Sequence, residues 1–191
     1  MNEGEVVPLI CHVAGCVTVV EMGIATFFSA EALTSGSQTN FVRTTWDRLD
    51  GIPGGKLLFS RMIGRMAPYS GTIRPSVEKL SDGYARLSLA DRPAVRNHLS
   101  CVHAIALANL VELTGNLALL YSLPDDARLI AAGIGLDYIK KARGTITGEC
   151  HTPPIDSSEK REYQIKVTLR DEGGDIVVEG TLRTLVGPKQ A

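Results

Sequence analysis

No lysine or arginine precedes Arg43. A secretory signal opens on a basic segment, whereas this chain opens with Glu3 and Glu5, so secretion is disfavoured. CxxC pairs are missing as well. The four cysteines, Cys11, Cys16, Cys101 and Cys150, have neither the dense spacing of a disulfide framework nor that of a zinc ribbon. A reducing, cytoplasmic setting is therefore expected. Cys11, His12 and Cys16 lie in an apolar run without a fourth ligand at a usual spacing, so no metal is expected and the cysteines read as small apolar residues. An excess of one charge is the third absence. Twenty basic residues against twenty-one acidic ones leave a formal charge of -1, which gives no bulk attraction to nucleic acid or to an anionic membrane.

What is present is 191 residues with 44% hydrophobic content, enough for one well-buried core. Residues 6–33 form a largely apolar run whose length would allow a membrane helix. His12 and Glu21 fall inside it, however, and each ionisable group there costs about 3 kcal/mol on insertion scales. A loosely attached N-terminal extension, residues 1–43, is the expectation, with 35–40 as a polar break and a folded domain over 44–191.

Within that domain a short helical stretch, a Pro53-Gly54-Gly55 break and an amphipathic run over 56–66 come first. In the run Leu57, Leu58, Met62, Ile63 and Met66 recur at helical spacing. Two strand-like segments, 72–80 and 84–89, are joined through Asp82-Gly83, a hairpin signal. The polar segment 92–100 precedes 101–121, which is apolar nearly all round and reads as a buried helix. Strand-like runs follow at 127–142, 144–150, 159–170 and 175–186. Tyr163, Ile165, Val167 and Leu169 alternate with polar residues in the third. Helices do not alternate with strands, which excludes a doubly wound sheet. The pattern fits an α+β fold in which an antiparallel sheet wraps around one long helix.

Four groups of residues carry a resemblance: Asn97-His98, then His103-Ala104, then Glu112, followed by Tyr138-Ile139-Lys140-Lys141-Ala142-Arg143-Gly144. The chain resembles the hotdog-fold thioesterase superfamily in its PaaI-like branch, and within it is close to proteins related to the YiiD C-terminal domain. Those share a Pro-Gly-Gly opening, a Pro-Tyr-Ser-Gly turn and an Arg-Asn-His segment. The branch pattern is an Asn, a His-Gly pair six residues on, and an Asp or Glu nine residues after that His. Asn97, His103 and Glu112 keep both spacings. The resemblance implies a hotdog fold and hydrolysis of acyl thioesters, with acyl-CoA or an acyl-carrier thioester as substrate. It also implies no cofactor beyond the coenzyme A of the substrate, and a homodimer or a dimer of dimers.

Thioester hydrolysis needs a carboxylate acting as base or nucleophile, plus donors aimed at the developing oxyanion. The resemblance gives Glu112 the first role and the Ala104 amide, at a helix N-terminus, the second, with His103 and Asn97 orienting the carbonyl or the water. Plainer readings stand beside these: Asn97 as a capping or turn residue, and His103 as a satisfied histidine. Glu112 is harder to explain so, because a carboxylate among Leu110, Val111 and Leu113 is costly to bury without a partner or a task. A Cys101 nucleophile paired with His98 or His103 lacks an orienting third group. Two departures weaken the match. Ala104 replaces the pattern's Gly, and Lys140 falls where relatives place a small hydroxyl residue that holds the water. Lys140, Lys141 and Arg143 form a basic cluster, read either as a solvated strand end or as a contact for coenzyme A phosphates. Two other activities stay open, an acyl-thioester hydratase or dehydratase and a non-catalytic acyl-CoA binding module.

Overall fold

The structure is a computed structural model, and it describes residues 39–189. The expected extension and the Cys11, His12 and Cys16 group lie outside the described residues, apart from the last few positions before 43. Three helices come first: α1 (Phe41–Leu49), α2 (Gly55–Met66) and the single turn α3 (Pro68–Gly71). A hairpin follows, β1 (Ser76–Ser81) and β2 (Tyr84–Leu89), then the long helix α4 (Ala104–Ser122). The strands β3 (Ala127–Tyr138), β4 (Ile146–His151), β5 (Arg161–Arg170) and β6 (Ile176–Pro188) complete the chain. One six-stranded sheet results, in the order β1-β2-β4-β5-β6-β3, with every neighbouring pair antiparallel. It curls around α4 in the hotdog arrangement, as expected.

The sheet is built on alternation. In β5 Tyr163, Ile165, Val167 and Leu169 are buried and the residues between them face outward. The helix sits close because glycine removes side chains at the contact. A Cβ at Gly115 of α4 would overlap the Leu182 and Ile165 methyl groups, and one at Gly180 of β6 would overlap Val111. Among the described residues α4 is long and apolar enough to cross a membrane by length and composition, but most of it is buried in this core.

The opposite side of α4 is covered by α1, α2 and α3. Trp46 and Phe59, both fully buried, meet edge to face at 5.0 Å and lock α1 onto α2. Asn40 caps α1, its Oδ1 accepting from Arg43 N at 3.0 Å. Its Nδ2 donates to the carbonyls of Leu120 at 2.6 Å and Leu123 at 3.0 Å. These are orphan acceptors at the α4 C-terminus, where Arg43 Nη1 also donates to the carbonyls of Leu123 and Tyr121. The boundary expected between 43 and 44 therefore falls inside α1, and the packed body includes Asn40.

Three other boundaries move for local reasons. The first strand begins at Ser76, not near Thr72, because Arg74 turns the chain with φ 50° and Pro75 follows it. The long helix begins at Ala104, not Cys101, because Val102 pairs with Arg96 in a β-bridge. β3 stops at Tyr138 instead of continuing to Ala142. Beyond it the chain leaves the sheet, and Ala142 O accepts from Val102 N at 2.9 Å.

Candidate active site

The segment leading into α4 is folded on itself. Asp91 accepts from Arg96 Nε at 2.6 Å through one oxygen and from Gly144 N at 3.1 Å through the other, tying this segment to residues 139–145. The Arg96 guanidinium, with help from the Gly144 amide, holds the Asp91 carboxyl below the usual carboxylate range. Glu172 braces the same stretch by accepting from Thr145 N at 2.8 Å, and that bond lowers its pKa.

Asn97 organises the tight loop that follows. Its Oδ1 accepts from Leu99 N at 2.9 Å and from the Cys101 thiol at 3.3 Å, while its N–H donates to Cys101 O. The turn-forming reading of Asn97 thus has its geometry, and among the described residues the Nδ2 group has no protein partner. Cys101 is buried against Asn97 and bonds to neither histidine.

His103 is the N-cap of α4. Its Nδ1 accepts from Ile105 N at 3.1 Å, which places the proton of the neutral ring on Nε2 and makes that nitrogen a donor. The Ala104 N–H beside it has no partner among the described residues and lies at the positive end of the helix dipole. Tyr138, at the end of β3, donates its hydroxyl to Ala104 O at 3.0 Å and so fixes the first turn of the helix.

Glu112 lies mid-helix and half-buried, with no hydrogen bond or ion pair to any described residue. It lines a cavity of about 150 Å³ between α4 and the cover helices, together with Ile63, Met66, Ser70, Asn116 and Leu120. His103 lines a different cavity, of about 210 Å³, with Tyr69, Val95, Arg96 and Asn109. Nine residues at about 100° each turn the helix by two and a half turns, so the two side chains leave it on opposite sides. One chain sets His103 and Ala104 together at the start of α4, keeps Asn97 in the loop before them, and turns Glu112 into a different cavity.

Asn109 and Asn116 escaped the sequence reading. Asn109 is buried, donates Nδ2 to Tyr69 O at 3.2 Å, and has an unpartnered Oδ1. Asn116 Oδ1 is likewise buried without a partner. Their spacing from Glu112, three residues before and four after, was the available signal: a polar stripe on an otherwise apolar helix.

The basic cluster is corrected in part. The Lys140 ammonium sits between Asp171 at 2.8 Å and Asp175 at 2.6 Å, and these carboxylates raise its pKa. It lies beyond the end of β3, so it occupies no strand position where a water-holding hydroxyl would stand, and its charge is already matched. Lys141 and Arg143 remain exposed. Among the described residues no group of His, Cys, Asp and Glu has the make-up to hold a metal ion.

A family profile described as "Domain of unknown function (DUF4442)" matches residues 55–186. A search of curated protein sequences finds no match. Among solved structures, the protein called genomics APC5556 superposes with a TM-score of 0.68 at 28% identity, over 78% of this chain and 99% of its own. PA5026 from Pseudomonas aeruginosa, a protein of unknown function that carries the label "Probable Thioesterase", gives 0.63 at 24%, over 72% and 97%. A mutant of the thioesterase SAV0944 from Staphylococcus aureus gives 0.57 at 14%, over 63% and 99%. These likenesses agree with the curled sheet and central helix described above: the chain is a hotdog-fold protein and belongs to the family described as DUF4442.

Proposed function

We propose that this chain hydrolyses acyl thioesters, with acyl-CoA as the substrate class and Glu112 as the base. The observation that carries the reading is Glu112 itself, a carboxylate without a partner among the described residues, on the most apolar of the described helices and facing a cavity. The thioesterase names of the structural relatives support the same chemistry.

In this scheme the thioester oxygen sits against the Ala104 N–H, with the His103 Nε2–H as a second donor. Glu112 takes one proton from water, whose oxygen forms a bond to the carbonyl carbon. The charge that develops on the carbonyl oxygen meets the two donors. Collapse of this intermediate breaks the C–S bond, and the leaving thiolate receives the proton held by Glu112. The products are a carboxylic acid and free thiol. The reaction requires no cofactor, and a reducing, cytoplasmic setting fits the cysteine spacing. Lys141 and Arg143 are the residues left to meet coenzyme A phosphates.

Because one chain keeps His103 and Glu112 on opposite sides of α4, the site is completed by a second copy about a two-fold axis. Support comes from β3, which among the described residues is an edge strand paired only with β6, and along which Ile130, Ile134 and Tyr138 are about half exposed. Mixing Glu112→Gln chains with Asn97→Ala chains should then restore one working site per heterodimer. No recovery in verified heterodimers would place the carboxylate and its partners in one chain.

A non-catalytic acyl-CoA binding module is the second reading, favoured by the Asn97 carbonyl being engaged in its own turn. A thiol-release screen over acetyl-, octanoyl-, palmitoyl- and phenylacetyl-CoA separates the two. Hydrolysis of at least one ester is expected, and binding without thiol release would favour the module.

A further inference from the structure

Half-exposed apolar side chains along β3 and around the His103 cavity border places already described. Ile52, Leu57 and Leu58 border neither. Leu57 and Leu58 are 53% and 52% exposed on α2, and Ile52, in the loop between α1 and α2, is 54% exposed. At about 100° per residue, Leu57, Arg61, Arg65 and Leu58 follow one another around a single arc of about 100°, while Phe59, Met62 and Ile63 are buried on the other side. α2 has no acidic residue. Lys56 is matched by Asp50 at 3.1 Å, whereas Arg61 and Arg65, both exposed, have no partner among the described residues. Arg48, exposed near the end of α1 and four residues before Ile52, has none either.

We propose that this outward face of α2 docks the protein on an anionic lipid surface. Leucine left in water gains by leaving it, and an unmatched guanidinium gains from a phosphate. Interleaved on one arc of a helix, both gains are met by a layer that is anionic above and apolar below, which is the boundary of an anionic bilayer. A second copy fits this face poorly, because a two-fold contact would set arginine against arginine. The net charge of -1 gives no bulk attraction, so the local cations must supply it. Residues 6–33, which lead into α1, are largely apolar and suit the same surroundings. The inner side of α2 supplies Ile63 and Met66 to the wall of the Glu112 cavity, so lipid would lie about 10 Å, one helix diameter, from that cavity. Docking needs no turnover, and it stands or falls apart from the role of Glu112.

The test sediments the full chain with vesicles of phosphatidylcholine and phosphatidylglycerol at roughly 3:1, and with vesicles of phosphatidylcholine alone. Binding to the anionic vesicles and little to the neutral ones is expected, with release as salt rises from about 0.1 M to about 1 M. Arg61→Gln with Arg65→Gln should weaken anionic binding about 25-fold, at about five-fold per cation. Leu57→Ser with Leu58→Ser should weaken it about 10-fold or more. All four side chains are exposed, so Tm and circular dichroism should match the wild type in both variants. A chain that ignores anionic vesicles overturns the proposal. So does binding that both pairs of substitutions leave intact, which would put the contact elsewhere, residues 1–38 included. Lys160→Gln with Lys166→Gln removes two exposed cations just before β5 and on it, and an equal loss there would make overall charge the cause. If vesicles are ignored while the arginine variant raises KM for acyl-carrier-protein thioesters, the face serves an acidic protein and the lipid surface is excluded. A wild-type oligomer that falls apart in the leucine variant would make the face a contact between copies.

Discussion

The two faces of α4 were built to different rules. The face toward the sheet is dry and notched with glycine, and its Leu110, Val111 and Ala118 are fully buried. Toward α1, α2 and α3 the helix carries Glu112 and Asn116 on one cavity, while Asn109 borders the separate His103 cavity, and both asparagines leave Oδ1 unpartnered. Close packing stabilises a fold, whereas unmatched polar groups beside open space cost stability and are kept where a ligand or a reaction uses them. The helix thus keeps its glycine-notched contact with the sheet apart from the polar side chains that border the cavities.

Several substitutions can break that division. Trp46→Ala empties the fully buried contact with Phe59 under the cover helices. It should cost about 3–5 kcal/mol, read as a drop in urea midpoint. Gly115→Val forces a branched side chain into Leu182 and Ile165 on the sheet side, and should cost about 1–3 kcal/mol while leaving KM of the folded fraction unchanged. Asn40→Ala removes the donor to the Leu120 and Leu123 carbonyls, at a cost of about 1–2 kcal/mol. Deleting residues 1–38 should therefore leave Tm nearly unchanged, whereas deletion through 43 should lower it clearly. A Tm equally unaffected by both deletions would remove Asn40 and Arg43 from the account.

The smallest effect concerns pH. Asp91, Asp171 and Glu172 are held below their ordinary values, by Arg96, by Lys140 and by the Thr145 amide respectively. A lowered folded-state pKa adds stability that is complete above the unfolded value, about 4, and is lost as pH falls through the folded values. Acid below about pH 4 should loosen residues 139–145 before the core unfolds. Amide exchange at Gly144 and Thr145 between pH 5 and pH 3 would show it, and equal protection at both would contradict it.

Much of this was legible in the sequence, unevenly. The alternation in β5, the Asp82-Gly83 hairpin and the uniform apolarity of α4 are local patterns, and each placed its element within a few residues. The ends of elements were missed where a distant partner decides them. Val102 is drawn out of the helix by Arg96, the stretch after Tyr138 leaves the sheet to meet the loop before α4, and Arg74 turns the chain ahead of Pro75. Lys140 looked like a free cation because nothing local announces Asp171 and Asp175, which reach it from the β5–β6 turn. The spacing of Asn97, His103 and Glu112 was readable. Which cavity each enters depends on the helix turn and on what covers it. Asn116 went unnoticed because Asn within a Leu-rich helix acquires meaning only beside a cavity.

The central claim is that the cover-helix face of α4 does chemistry and does not hold the fold, and Glu112→Gln tests it most directly. The substitution keeps size and hydrogen-bonding capacity but removes basicity. Thiol release from the acyl-CoA ester that the wild type turns over fastest should fall by about 10²-fold or more, with Tm and circular dichroism unchanged. Wild-type turnover in the folded variant, or a collapse of Tm with the rate of the folded fraction intact, would contradict it.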